Sequence, residues 1–169
     1  MKKKSVGIIA EYNPFHNGHL YHLNESKKLT DAEISIVAMS GNFVQRGQVA
    51  IADKWKRAEA AVKCGADLVV EIPAVFACNS APYFARGGVE ILENLGIDYL
   101  SFGSESGNIE ELKAISREMK AKNEEIEEYI QSAIKDGLSY PRAREEAIRN
   151  FIGEDAGELV NNPNNILAL

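Results

Sequence analysis

All three histidines of the chain fall within seven residues, in the stretch Asn13-Pro14-Phe15-His16-Asn17-Gly18-His19-Leu20-Tyr21-His22. His16 and His19 are three apart, so at the start of a helix their rings share one side. Ser5–Ala10 is a short apolar, partly β-branched run that reads as a strand, and helical spacing takes over near Gly18. A helix start after a strand presents unpaired backbone N–H groups and partial positive charge, a setting suited to a triphosphate. Gly18 leaves that backbone open to close approach by a ligand. Two imidazole donors there would hold an α-phosphate and stabilise the charge that develops as it is attacked. Two other readings stand beside this one. With His22 the histidines form a candidate zinc triplet, although in a helix the third ring lies roughly 120° round from the first. Alternatively, all three are solvated. Gly-x-Gly-x-x-Gly and the Walker-type phosphate loop are both absent.

The elements that must position this stretch are legible in outline. Ile34–Met39 and Leu68–Ile72 are further apolar runs, closed by Ser40-Gly41-Asn42 and by Pro73, and Tyr99–Phe102 is a fourth, closed by Gly103. Helical segments separate them: Gly18–Leu29, Lys54–Lys63 stopping before Gly65, and Arg86–Leu95 stopping at Gly96. Continuous apolar strands alternating with helices indicate parallel βαβ units covered on both faces. The expected fold is a Rossmann-like α/β sandwich around an open parallel sheet, with ligands at the carboxyl ends of the strands. Residues 1–108 form this core. Residues 109–169 read as a helical extension packed on it, with one stripe through Ile109, Leu112, Ile115 and Met119 and another through Ile126, Ile130 and Ile134. The closing run Asn161-Asn162-Pro163-Asn164-Asn165-Ile166-Leu167 enters an apolar segment that stops abruptly, so truncation is expected.

Composition bounds the partners. At 169 residues, 45% hydrophobic and 26% charged, the chain suits a globular fold with one full core. No run approaches a membrane span, and the apolar stretch after Met1-Lys2-Lys3-Lys4 ends at Glu11, too early for a secretory signal. Cys64 and Cys78 imply no disulfide framework, so a reducing cytoplasm is expected. The net charge of −6 is unlike that of a domain that grips nucleic acid unaided. Any nucleic acid must be held by the local cluster Arg46, Lys54, Lys56 and Arg57, or by something outside this chain.

Other residues have competing uses. Gly103 stands where adenine or ribose would sit and lets a base approach the backbone; a plain strand-ending turn is the alternative. Arg46 and Lys54 flank a loop long enough to close over the site, or are solvated charge. Asp67 reads as a turn or cap residue, the cysteines as small buried fillers, and the Glu124–Glu128 run as a solvated helix face. Trp55 is expected to be buried against the sheet, with base stacking as the alternative.

Phe15-His16-Asn17-Gly18-His19 resembles the His-x-Gly-His signature of the nucleotidyltransferase superfamily, which is shared with class I aminoacyl-tRNA synthetases. The likeness extends further. Glu11 to Leu20, Met39-Ser40-Gly41-Asn42-Phe43-Val44-Gln45-Arg46-Gly47, Phe102-Gly103-Ser104-Glu105 and Pro163-Asn164-Asn165-Ile166-Leu167 together resemble the tRNA(Met) cytidine acetate ligases. That resemblance implies a nucleotidyltransferase-type αβα sandwich that activates acetate with ATP to acetyl-adenylate. The acetyl group would then pass to the wobble cytidine of elongator tRNA(Met). It also implies a nucleotide cradle running through Ile9, Ala10, Glu11, Tyr12, Asn13, Pro14, Phe15, His16, Asn17, Gly18, His19, Leu20, Tyr21 and His22, joined by Gly103 and Asn164. His16 and His19 would serve as electrostatic clamps, and Mg²⁺ would accompany the triphosphate with no dedicated protein cage. The family's second signature, a Ser/Thr-rich loop ending in Arg, and its tRNA-binding region would lie past Leu169. Two other functions stay open: a nucleotidyltransferase moving AMP or CMP onto a phosphate ester, and a nucleotide-binding module without turnover. The carboxylate is expected to meet Tyr12, Asn13, Pro14 and the Ser40-Gly41-Asn42 turn.

Overall fold

The computed structural model describes residues 3–160, 162, 164 and 165; Pro163, Ile166 and Leu167 of the last motif lie outside them, as does the side chain of Arg46. The chain divides into two compact units, Met1–Phe102 and Gly103–Leu169.

The first unit is a four-stranded, wholly parallel sheet in the order β3-β2-β1-β4, built from β1 (Ser5–Ala10), β2 (Ile34–Ser40), β3 (Leu68–Ile72) and β4 (Tyr99–Ser101). Ile8, Val37 and Met39 turn to one face, where Leu23 of α1 (Asn17–Thr30) and Ala61 of α2 (Lys54–Lys63) close the core with Tyr12. The other face carries α4 (Ala81–Asn94), preceded by the short helix α3 (Ala74–Ala77). That packing is close because two glycines remove the side chains that would hold it off. A Cβ on Gly88 would come within 2.7 Å of Ile9, and one on Gly7 within 2.7 Å of Ile97. Coverage on both faces, expected of every strand, holds for β1 and β2. β3 and β4 are the sheet edges, and Leu68, Tyr99 and Leu100 stay exposed. With β1 central, successive crossovers run first toward β3 and then back to β4. The crevice at the carboxyl ends of β1 and β4 is therefore a topological switch point, opening on the start of α1.

The helix-to-strand turns repeat one device. Asp31, Gly65 and Gly96 each take a positive φ, and each is followed by an apolar residue and an acidic one before the next strand. Asp67 accepts bonds from the backbone and hydroxyl of Ser35 at 2.8 and 2.9 Å and from Lys27 at 2.9 Å. Asp98 does the same for Ser5 at 2.8 and 3.0 Å. Burial pushes Asp67 up, but the bonds from Lys27 and Ser35 outweigh it and hold the carboxyl below its ordinary value. Asp67 thus staples neighbouring strands at the end of the sheet opposite the crevice, a longer reach than a turn or cap role. Cys64 and Cys78 are half-buried rather than fully buried.

The second unit is helical: α5 (Ile109–Ala121), α6 (Asn123–Lys135), α7 (Tyr140–Phe151) and α8 (Glu154–Leu159). Leu112 and Ile115 pack with Ile148, Ala156 and Leu159, while Ile126 and Ile130 pack with Ala143 and Ala147. Ile109 and Ile134, at the ends of their stripes, are exposed. Glu124, Glu125, Glu127 and Glu128 lie on the exposed side of α6.

Candidate active site

β1 delivers the chain into the crevice, and the histidines build the start of α1. His16 is the N-cap residue: its Nδ1 accepts from the backbone N–H of Gly18 at 3.1 Å, and its own N–H donates to Nδ1 of His19 at 3.3 Å. This is a capping box made of two imidazoles. The rings stack with centroids 3.6 Å apart and 23° between their planes. Since each Nδ1 accepts, each neutral ring carries its proton on Nε2. Neither Nε2 has a hydrogen-bond partner among the described residues, so two N–H donors stand side by side at the helix start. Burial, then the charges of His16 and His22, lower His19 from its ordinary 6.5 to about 4. The ring is neutral at physiological pH.

Two expectations change here. The first turn offers fewer unpaired backbone N–H groups than a bare helix start, because Gly18 N–H goes to His16 Nδ1 while those of His19 and Leu20 go to the His16 carbonyl. Gly18 is needed chiefly by His16: a Cβ there would stand 3.0 Å from the imidazole Cε1. His22 leaves the pair altogether. Its Nε2 lies 3.1 Å from Ser101 Oγ, which is itself 2.6 Å from Ser26 Oγ, tying α1 to the end of β4. The three rings therefore do not converge as a zinc triplet would, and no group of three potential metal ligands occurs among the described residues.

The rest of the cradle sorts by side chain. Tyr12, at φ 46°, buries its ring against Phe15 and His19, with centroids 4.7 and 4.8 Å away, and burial pushes its phenol up to about 12. It belongs to the core and does not face a nucleophile with its side chain. Ser40 is fully buried, so it too is out of reach, and Asn42 is occupied in capping Lys54 N–H at 3.1 Å. Asn13 Oδ1 holds the Ile51 N–H at 2.7 Å, and the following bond to exposed Pro14 is cis. Ile9 and Ala10 are half-buried at the end of β1, Asn17 is exposed, and Leu20 is half-buried. Tyr21 turns to solvent, 69% exposed. Lys54 is half-buried, and its Nζ pairs with Glu71 at 2.5 Å.

In the second unit Gly103 and Asn164 do come together, a Cβ on the glycine lying 3.9 Å from the Asn164 side chain. Glu105 clamps the asparagines, accepting from Asn164 Nδ2 at 2.8 Å and from Asn165 N–H at 3.1 Å.

Arg57, read from the sequence as part of a basic cluster open to nucleic acid, is instead buried and organises the sheet ends. Only 3% exposed, its guanidinium donates to the carbonyls of Glu11 at 2.5 Å, Ser40 at 3.0 Å, Ala52 at 3.1 Å and Gly41. Glu11 in turn takes the Gln45 N–H on its carboxylate at 2.8 Å. The signal available in the sequence was position, because Arg57 lies one helical turn before Ala61 on the buried face of α2. Trp55, two residues away and so roughly 200° round, is 75% exposed rather than packed on the sheet.

The His19 shift makes a direct prediction. The folded ring holds its proton less tightly than the unfolded one, so its contribution to stability is complete above pH 6.5 and fades as the pH falls toward about 4. An NMR titration should find one histidine with a midpoint near 4, and His19→Asn should flatten the loss of Tm between pH 7 and pH 4. A midpoint at 6 or above for His19 would contradict the buried, stacked arrangement.

With the geometry in place, comparison with known proteins is informative. The HIGH Nucleotidyl Transferase family model matches residues 3–169. A curated relative named tRNA(Met) cytidine acetate ligase from Syntrophotalea carbinolica is 47% identical over 98% of this chain and 40% of its own length. One of the same name from Caldicellulosiruptor saccharolyticus is 47% identical over 98% of this chain and 41% of its own. A crystal structure of Thermotoga maritima TmcAL bound with alpha-thio ATP superposes with a TM-score of 0.85 at 40% identity, over 98% of this chain and 41% of that one. The chain thus spans about two fifths of the length of the relatives it matches. The matching model, the parallel sheet and the His-x-Gly-His turn agree: the chain belongs to the HIGH nucleotidyl transferase family.

Proposed function

We propose that this chain carries the ATP-activating centre of a tRNA(Met) cytidine acetate ligase. One observation carries the reading: two stacked imidazoles, each accepting a backbone N–H at Nδ1, present Nε2 atoms that have no partner among the described residues at the start of α1, at the switch point of the sheet. Donors fixed before the ligand arrives stabilise charge on a phosphoryl oxygen without reorganising. The names of the relatives support the choice of acid and acceptor.

ATP lies with its α-phosphate against His16 and His19. A carboxylate oxygen of acetate attacks that phosphorus in line, the bond to the bridging oxygen breaks, and pyrophosphate leaves. The exocyclic amine of cytidine then attacks the acetyl carbonyl, loses a proton and expels AMP. Acetate needs no general base, which suits histidines whose Nδ1 atoms are committed to backbone N–H groups. Mg²⁺ would accompany the triphosphate, shared between phosphate oxygens and water.

The test is ATP–pyrophosphate exchange, run on this chain and on one carrying the region that its relatives have beyond this span. Acetate, propionate, amino acids and phosphate esters are compared. Exchange should depend on acetate, and propionate should lose roughly 10- to 200-fold in kcat/KM, the usual worth of one methylene. Exchange driven by a phosphate ester and not by acetate would replace this reading with that of a plain nucleotidyltransferase.

A further inference from the structure

The connection from β2 to α2 turns large apolar side chains outward: Val49 is 74%, Ile51 72% and Trp55 75% exposed, with Phe43 beside Val49 in an antiparallel bridge. The connection is held at several points. Asn42 ties it to Ala50 N–H through its carbonyl and to Lys54 N–H through its amide oxygen, while Asn13 holds Ile51 and Glu11 holds Gln45. The last two bonds fasten this rim to the turn that leads into His16. Its charge is also distinct. Residues 42–63 carry Arg46, Lys54, Lys56, Arg57 and Lys63 against Asp53 and Glu59, within a chain of net charge −6. Arg57 is buried, so the cations beside Trp55 are Lys54, which pairs with Glu71, and Lys56, which stands 3.9 Å from Asp53. Lys54 Nζ lies 5.4 Å from the Trp55 ring centroid.

An exposed aromatic flanked by two lysines, on a connection held at several points in an otherwise acidic protein, has the chemistry of a platform for single-stranded nucleic acid. The indole face takes any base by stacking, and the cations follow the phosphates. We propose that Trp55 is the surface on which the RNA acceptor lays a nucleobase beside the nucleotide turn, with Ile51 and the flanking cations guiding the strand. The proposal rests on the acetyl-adenylate reading for the identity of its acceptor, but it can be read without any chemistry.

Trp55 is the sole tryptophan, so its emission reports the platform directly. The chain is titrated at low salt with a short single-stranded RNA bearing a central cytidine, with the same sequence as a duplex, and with an abasic strand. The single strand should quench the indole and the other two should not. By fluorescence anisotropy of labelled RNA, Trp55→Ala should bind about tenfold more weakly or worse, and Trp55→Phe should recover most of the affinity. Unaltered RNA affinity in Trp55→Ala, unchanged emission while RNA binds, equal quenching by the abasic strand, or no binding of the single strand would each overturn the proposal. Loss of acetate-dependent exchange with stacking intact would instead remove the proposed reaction and leave the platform standing.

Discussion

His19→Ala is expected to lower ATP–pyrophosphate exchange about 10²- to 10³-fold, the usual effect of deleting one preorganised donor to a developing oxyanion. The loss should fall on kcat more than on KM for ATP, because the donor counts most when charge accumulates on the α-phosphate. The fold should survive. His19 is half-buried, and its structural work is to accept the His16 N–H and to cover Tyr12, so the stability cost should be about 1 kcal/mol. His16→Ala removes the other donor and frees the Gly18 N–H, which can then bind phosphate itself. Its loss should therefore be the smaller of the two. His19→Asn supplies an amide N–H near the same place and should recover part of the rate. Calorimetry for ATP binding, exchange for turnover and a melting curve separate these effects. Unchanged exchange in His19→Ala with the melting curve intact would remove the clamp role.

Arg57→Met is expected to be the most destabilising single substitution in the first unit. Met keeps much of the length and apolar stem, but it strips donors from the carbonyls of Glu11, Ser40, Gly41 and Ala52 in a region closed to water. Each orphaned buried acceptor costs about 1–3 kcal/mol, and because water can reach some of them after relaxation the total should be about 3–5 kcal/mol. At roughly 2–4 °C per kcal/mol for a chain of this size, Tm should fall by about 6–20 °C. Arg57→Lys keeps the charge, which burial already holds below its ordinary range, yet it cannot fork to several carbonyls and should lose nearly as much. Both variants should also weaken ATP binding, since Glu11 O and Gly41 O sit at the ends of the two central strands. A melting temperature within a degree or two of the parent would show that the network is dispensable.

How much of this was legible before the structure depends on how local each feature is. The four strands and the helices α1, α2 and α4 could be located because apolar runs, helical spacing and stops at Gly65 and Gly96 lie within a few residues of one another. α4 began earlier than its periodicity suggested, because in its first turn Pro82 and Tyr83 are exposed and only Phe84 turns inward. Trp55 was misplaced because its hydrophobicity was weighed without the phase of α2. The helix turns Arg57 and Ala61 inward, which leaves the indole outside.

By itself the sequence determined the strand–turn–helix around His16 and His19, the parallel α/β class and the family, since these rest on residue types at short, fixed spacings. Only the tertiary structure decided which nitrogen of each imidazole is left to donate, that His22 belongs to Ser101, that Arg57 joins the strand ends, and that Glu105 brings Asn164 beside Gly103. The last three join residues 79, 46 and 59 positions apart. Local periodicity carries no information about partners at that distance, and hydrogen bonds of fixed direction form only after the sheet has set the order of its strands.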